Sequence, residues 1–345
     1  MILHQNDIDG IVITAVTGAS GFLGSVLVRE LLSRGRSVRA VVNTRQQGLE
    51  GLNVEIVKAD VRDIDELRSA FTGVTSVFHL AAIVSLGGDL RRRVTEVNVT
   101  GAQNAARAAL EAGVSRYVHF SSVHAFDLSP TADAIDEKAT RAGGTHPHYD
   151  YTKTLGEMAV REVIKEGLHG VIVHPSGVIG PGDHRPSRVG QVLLDLAVRK
   201  LPILLPGGFN WVDVRDVCEG AIAAEHCGRI GESYLLTGYW HSARQLASFG
   251  TEITGVAPPR FDVPLWMARG IAPVGTLYGW LTKTEPRLNS NVLAALCAAH
   301  NISHAKAAQE LGYVPRSIRE SVHDSYRWFE AAGMLASPLP SLGET

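Results

Sequence analysis

The stretch PHYDYTKTLGE, residues 147–157, sets two phenols, Tyr149 and Tyr151, just ahead of an amine, Lys153. A tyrosine held beside an ammonium is a proton shuttle in waiting. A free phenol titrates near ~10, and moving it by about three units requires roughly 4 kcal/mol of preference for tyrosinate. A neighbouring positive charge supplies a preference of that kind. Helix geometry separates the two tyrosines. Each helical residue advances about 100°, so Tyr149 and Lys153 share a face, while Tyr151 and Lys153 lie roughly 200° apart. Tyr149 is the expected partner, on a helix spanning 149–167. A hydroxyl donor is available upstream in RYVHFSS, residues 116–122. Strand alternation sends Ser121 and Ser122 to opposite faces, so at most one of them enters a cleft.

A second motif suits a polyanion. TGASGFLG, residues 17–24, places Gly18, Gly21 and Gly24 three apart, after the strand-like IVITAVTG and ahead of the helix-like SVLVRELLSRG. Glycine at such positions allows a tight turn, close backbone approach to a pyrophosphate and helix–strand packing, and the helix start adds N–H groups and a positive dipole. Ser20, Phe22 and Leu23 complete the turn. The residue ending the second strand selects the dinucleotide, a carboxylate favouring NAD and a cation NADP. Here Asn43 stands there with Arg45 close behind, which favours NADP over NAD.

These groups need a scaffold, and the chain alternates to provide one. Strands are expected at 11–18, 37–42, 54–60, 76–82, 116–122 and 170–178, with helices at 25–35, 64–73, 97–113 and 149–167. Such alternation implies a parallel sheet covered on both faces. After about residue 180 the pattern loosens into a loop, a helix at 189–200, a strand running into a helix at 211–227, and helices around 242–254, 289–299, 303–311 and 316–330. The expected architecture is α/β: a Rossmann-type doubly wound parallel sheet with a smaller, mostly helical C-terminal substrate lobe. Residues 1–10 and 336–345 read as tails, 11–180 as the dinucleotide-binding domain with 211–230 returning to it, and 181–210 with 231–335 as the lobe.

Composition narrows the partners. The 345 residues carry a net charge of −2, with 45% hydrophobic and 20% charged residues, which gives no reason to expect nucleic acid. Three scattered cysteines, Cys218, Cys227 and Cys297, fit neither a disulfide framework nor a zinc site and point to a reducing, cytoplasmic setting. No metal is expected; His146 and His148 read as local hydrogen-bonding groups. The apolar run 263–281 contains Arg269, Pro273 and three glycines, so it is expected as a buried or pocket-lining helix and not as an integral membrane segment, with peripheral membrane contact the lesser alternative.

Taken together, TGASGFLG, ADVRD (59–63), HLAA (79–82), NVTG (98–101), Ser121–Ser122, Tyr149 to Lys153, HPSGVIGPGD (174–183), WVDVRDV (211–217) and SHAKAAQELGYVPRSIRESV (303–322) resemble the extended short-chain dehydrogenase/reductases over nearly the whole chain. The resemblance implies that Asp60 and Val61 contact the adenine. It places Leu80, Ala81 and Ala82 on the adenosine and ribose side, and Pro175, Gly177 and Val178 beside the nicotinamide. It selects Ser122 as the donor to the substrate oxygen, since Phe126 takes the place of the family's aromatic four residues on. It also carries over Asn98 as a support for the proton relay and implies a homodimer through the helices at 97–113 and 149–167.

Within the family, Val123 and His124 stand where sugar dehydratases carry acids, and HPSGVIGPGD lacks the asparagine of nucleotide-sugar enzymes. The chain looks more like the hydroxysteroid dehydrogenase and dihydroflavonol reductase branch, with His174 at a point often held by arginine. Trp266, Met267, Tyr278 and Trp280 suit a greasy substrate wall. The leading expectation is an NAD(P)-dependent oxidoreductase acting on a secondary alcohol or ketone of an apolar metabolite, steroid-, flavonoid- or terpenoid-like. A nucleotide-sugar epimerase using the same triad is the alternative, and a non-catalytic dinucleotide sensor the third reading.

Overall fold

A computed structural model describes residues 12–85, 91–131, 133–282, 288–335 and 339–340. The tail at 1–10 lies outside them, as does that at 336–345 apart from 339–340. The first half runs β1 Ile13–Thr17, α1 Phe22–Ser33, β2 Ser37–Val42, β3 Glu55–Lys58, α2 Ile64–Ala70, β4 Ser76–His79 and α3 Arg91–Thr95. A π-helical turn, Glu96–Gly101, leads into α4 Ala102–Glu111, β5 Arg116–Phe120, α5 His148–Lys165, β6 Gly170–Pro175 and β7 Gly177–Ile179. Then come α6 Arg188–Ala197, β8 Ile203–Leu204, β9 Gly208–Asp213, α7 Val214–Cys227, β10 Ser233–Leu236, β11 Tyr239–Ser242, α8 Ala243–Thr254 and β12 Phe261–Asp262. The chain closes with α9 Leu265–Thr282, α10 Ser290–Leu296, α11 Ala305–Leu311 and α12 Ile318–Ala331.

Seven parallel strands form one sheet in the order β10-β6-β5-β4-β1-β2-β3. Every residue of β4 and β6 is buried, as expected of strands covered on both faces. The winding direction reverses between β1 and β4, opening a crevice at their carboxyl ends. Smaller sheets, β11-β9-β7 and β12-β8, carry the lobe. Its core packs Phe126, Trp211, Leu246, Tyr326 and Phe329. The charges of DVRDV bind the lobe to the α7 start: Arg215 reaches Asp213 and Asp324 at 2.8 Å each, and Arg316 reaches Asp216 at 2.8 Å.

Four details depart from the sequence expectations. The strand expected over 170–178 is two, because its second half leaves the main sheet to pair with β9. Ser233–Leu236, within the stretch assigned to the lobe, pairs with Ile172–Pro175 as the seventh main-sheet strand. The helix expected at 97–113 opens with the π turn, which brings Asn98 against the Ile83 backbone: its Oδ1 accepts from the Ile83 N–H at 2.8 Å and its Nδ2 donates to the Ile83 carbonyl at 3.0 Å. The apolar run forms α9, but among its described side chains only Ala268 and Ala272 are fully packed, against Leu293, and most of the others face solvent. A short contact with a seven-residue neighbour, α10, cannot cover an 18-residue helix.

Gly156 lets α5 press on the π turn, since a Cβ there would stand 2.1 Å from the Asn98 carbonyl oxygen. Gly156→Ala is expected to cost about 1–3 kcal/mol through this clash, lowering the thermal unfolding midpoint by several degrees; an unchanged midpoint would show that the two segments part easily.

Candidate active site

Helix α5 aligns four groups at successive turns of one buried face: Tyr149, Lys153, Glu157 and, at the rim, Arg161. Tyr149 is buried and hydrogen-bonded to Ser122, whereas Tyr151 is only half-buried. Ser122 ends the extended run of β5 and caps a single 3-10 turn, Val123–Ala125, its hydroxyl accepting from the His124 N–H at 3.2 Å. Ser121 turns elsewhere and donates to Glu157 Oε2 at 3.2 Å. The two serines are thus parted as strand alternation requires.

The electrostatics differ from the simple sequence argument. Burial pushes the Tyr149 phenol well above its ordinary value, with the Ser122 hydrogen bond opposing and Asp150 adding to the rise. Lys153 is not among the groups acting on the phenol in this state; its ammonium donates to the Phe120 carbonyl at 2.9 Å. Burial lowers Lys153 to about 8, with Glu157 opposing. The phenol therefore stays protonated at neutral pH and is poised as an acid.

Glu157 was not among the residues singled out by sequence. Burial works against its ionisation, but His174, Arg141 and Arg161 hold its carboxyl well below the usual range. Its oxygens meet His174 Nε2 at 2.8 Å, Arg141 at 2.8 Å and Arg161 at 2.9 Å. The signal was present: Glu157 stands one turn beyond Lys153 and two beyond Tyr149. Asn98 also acts on this helix, since its Nδ2 donates to Thr152 Oγ1 at 3.3 Å, and that hydroxyl donates to the Tyr149 carbonyl at 2.7 Å.

The glycine turn lies at the carboxyl end of β1. Gly18 adopts φ 69°, and a Cβ on Gly24 would lie 2.2 Å from the Gly18 carbonyl oxygen. Gly21 caps α1 with no side chain over the helix start, so the amides of Phe22, Leu23 and their neighbours stay open to an anion, with Ser20 at the lip. Leu80 and Ala81 donate their N–H groups to Thr17 Oγ1 at 3.2 and 3.3 Å, which draws the 80–82 segment, with exposed Ala82, beside that turn. Asn43 and Arg45 are exposed past β2. Asn43 hydrogen-bonds Asp60, which a bidentate Arg62 lowers to about 2. Val61 is buried against Gly101. At the far end Pro175 is buried, Gly177 is pressed against Phe209 and Trp211, and Val178 is half-buried. An uncapped helix start beside a backbone cradle with no room for a Cβ fits a dinucleotide pyrophosphate.

A cavity of about 750 Å³ adjoins the Tyr149 end, lined by His124, Asp150, Arg269, Ala272, Leu293 and Cys297 among others. The His124 ring sits edge-on to Tyr149 at 5.6 Å, and its Nδ1 lies 3.1 Å from Asp150 Oδ1 without hydrogen-bond alignment. The apolar wall comes from α10, whereas Trp266, Met267 and Tyr278 face solvent. The Trp280 side chain lies outside the described residues. His146 and His148 bond locally, to Asp127 at 3.2 Å and to Thr95 at 3.1 Å.

The family described as NAD dependent epimerase/dehydratase matches over residues 14–236. The chain is 35% identical over 328 residues to sterol demethylase protein B of Methylococcus capsulatus, covering 93% of this chain and 99% of that protein. It is 31% identical over 333 residues to a putative dihydroflavonol 4-reductase of Synechocystis sp., covering 92% and 94%. The crystal structure of gox2253 superposes with a TM-score of 0.82 at 34% identity, covering 94% of this chain and 99% of that one.

Burying the Lys153 ammonium costs stability, because its folded value of about 8 lies below the ordinary 10.5. Between these values the unfolded state binds more protons, so stability rises with pH across that window. Lys153→Met is expected to melt above the unmodified protein at pH 7, by on the order of 3 kcal/mol at most. The gap should narrow as the pH climbs from about 8 to 10.5; paired calorimetric scans that show a constant gap would contradict this.

Proposed function

Because the chain belongs to the NAD dependent epimerase/dehydratase family, the extended short-chain dehydrogenase/reductases, and is an NAD(P)-dependent oxidoreductase, we propose that its substrate is a secondary alcohol or ketone of an apolar metabolite. The observation that carries this reading is the buried Tyr149–Ser122 pair, set one turn from Lys153 at the edge of a cavity walled by Leu293, Ala294 and Ala298. A cavity of about 750 Å³ with one lining guanidinium, Arg269, suits a compact apolar molecule better than a sugar diphosphate. Two of the similar proteins are named for a sterol and a dihydroflavonol, and the proposed substrate is of that steroid-, flavonoid- or terpenoid-like kind.

Bound in the glycine cradle, the dinucleotide supplies the hydride at its nicotinamide ring. Gly18 to Gly24 and the α1 start would hold its pyrophosphate, Asp60 and Val61 its adenine, Leu80 to Ala82 its ribose side, and Pro175 to Val178 its nicotinamide. Asn43 and Arg45 would stand at the ribose that distinguishes NADP from NAD, and Arg45 would favour NADP. Ser122 positions the substrate oxygen and stabilises charge developing there. Tyr149, kept protonated by burial, donates its proton to that oxygen as a general acid. Lys153 provides positive charge as tyrosinate forms, and Asn98 holds the first turn of α5 through Thr152.

Tyr149→Phe is expected to lower turnover about 10²–10⁴-fold with dinucleotide affinity retained, while Tyr151→Phe keeps most activity. Following nicotinamide absorbance over a panel of hydroxysteroids, dihydroflavonols and prenylated ketones, with NAD and NADP in parallel, checks both points. Full activity in Tyr149→Phe would sink the triad, and sugar inversion without net absorbance change would favour the epimerase.

A further inference from the structure

We propose that α9 and the adjoining β8–β12 edge form a docking surface for an anionic lipid membrane, with the helix lying in the plane of the interface. Met267, Ile271, Val274, Tyr278 and Leu281 follow one another at spacings of four and three along α9, and all are exposed. Trp266 beside them is 76% exposed, and Val274 and Leu281 are 65% exposed. Just ahead of the helix in the chain, Phe261 of β12 is 72% exposed and pairs across the ladder with exposed Ile203 of β8. Exposed apolar side chains in this number on a folded chain mark a place where something else binds.

Charge chooses the occupant. The helix carries no carboxylate along its 18 residues and a single cation, Arg269. The adjoining β8–β12 edge adds exposed Arg260, next to Phe261, and exposed Arg199 and Lys200, just ahead of β8. Asp262, the one acid of the β8–β12 ladder, is neutralised by Arg244 through three hydrogen bonds. An apolar face rimmed by cations and bearing a tryptophan near one end matches a layer of acyl chains under anionic headgroups. The contact is interfacial, because no helix among the described residues is long and apolar enough to cross a membrane.

The placement also bears on the site. Arg269 and Ala272, on the inner edge of the same helix, line the 750 Å³ cavity. A chain resting on α9 would therefore hold that cavity next to the acyl layer from which an apolar substrate partitions. The docking surface itself stands on exposure and charge, so its test uses no substrate and its outcome is independent of the reductase reading.

The experiment is flotation of the full chain with vesicles of phosphatidylcholine alone or mixed with phosphatidylglycerol. Binding is expected only to the anionic vesicles, weakening as salt rises. Brominated acyl chains should quench tryptophan emission, and the double variant Trp266→Phe, Trp280→Phe, which clears α9 of tryptophan, should remove most of that quenching. The triple variant Val274→Asn, Leu277→Asn, Leu281→Asn should lose about tenfold or more in partitioning. Arg199→Ala and Arg260→Ala should each cost roughly fivefold. Ile230→Asn, an exposed apolar position between α7 and β10, should change nothing. The proposal is overturned by an absence of flotation and quenching with the unmodified protein, or by binding equal on neutral and anionic vesicles. It is equally overturned by a dimer that the triple variant dissolves while vesicles bind neither form.

Discussion

The carboxylate of Glu157 is the point on which the rest of the site is hung. One buried oxygen receives Arg141 and Arg161, and the other receives His174 and Ser121. These partners come from α5 itself, the end of β5, β6 and the segment before α5. A buried charge costs several kcal/mol unless its partners are well placed, and removing one partner leaves the others exposed to that cost. The carboxylate therefore fixes both the rotation and the sliding position of α5 against the sheet. Lys153 and Tyr149, the proposed proton-transfer groups one and two turns earlier on the same helix, inherit that placement.

The same network accounts for two residues that stood out only as motif positions. Phe126 lies under the Arg141 guanidinium at 3.8 Å and edge-on to His174 at 5.0 Å, so the aromatic closes the turn that Ser122 opens. His174 replaces an arginine expected from resemblance because Glu157 already has two guanidinium partners, and a compact ring at 0% exposure fills the remaining space. Burial depresses the His174 imidazole while Glu157 opposes that fall. On the other side of α5, the π turn and Gly156 let two backbones meet, and Asn98 bridges to Ile83 and Thr152. Helix α5 is clamped from both flanks.

Rigidity at α5 contrasts with the lobe. There, ion pairs of Arg215 and Arg316 secure α12 to the start of α7, while α9 is held along one edge only. The protein thus combines a tightly fixed helix face bearing Tyr149 and Lys153 with a loosely buried apolar helix beside the neighbouring cavity. Site chemistry demands fixed distances, whereas the proposed apolar substrate would need an accessible apolar border.

Local periodicity made much of this legible. Alternating apolar runs announced the parallel sheet, three glycines marked the turn after β1, and the four-residue step from Tyr149 to Lys153 put both on one helix face. The last two signals span fewer than about ten residues each, the first repeats local runs along the chain, and all follow from backbone geometry. The remainder was decided in three dimensions. SYLL at 233–236 carries no periodic signal and becomes a sheet strand only because β6 offers a free edge. Glu157 gains its meaning from Arg141 and His174, both distant in sequence along different segments. The upward shift of the Tyr149 phenol follows from burial, and the ammonium expected to oppose it donates to the Phe120 carbonyl. The exposure of α9, finally, depends on how little surface α10 can cover. Desolvation and contact between remote segments are properties of packing, and a linear pattern does not contain them.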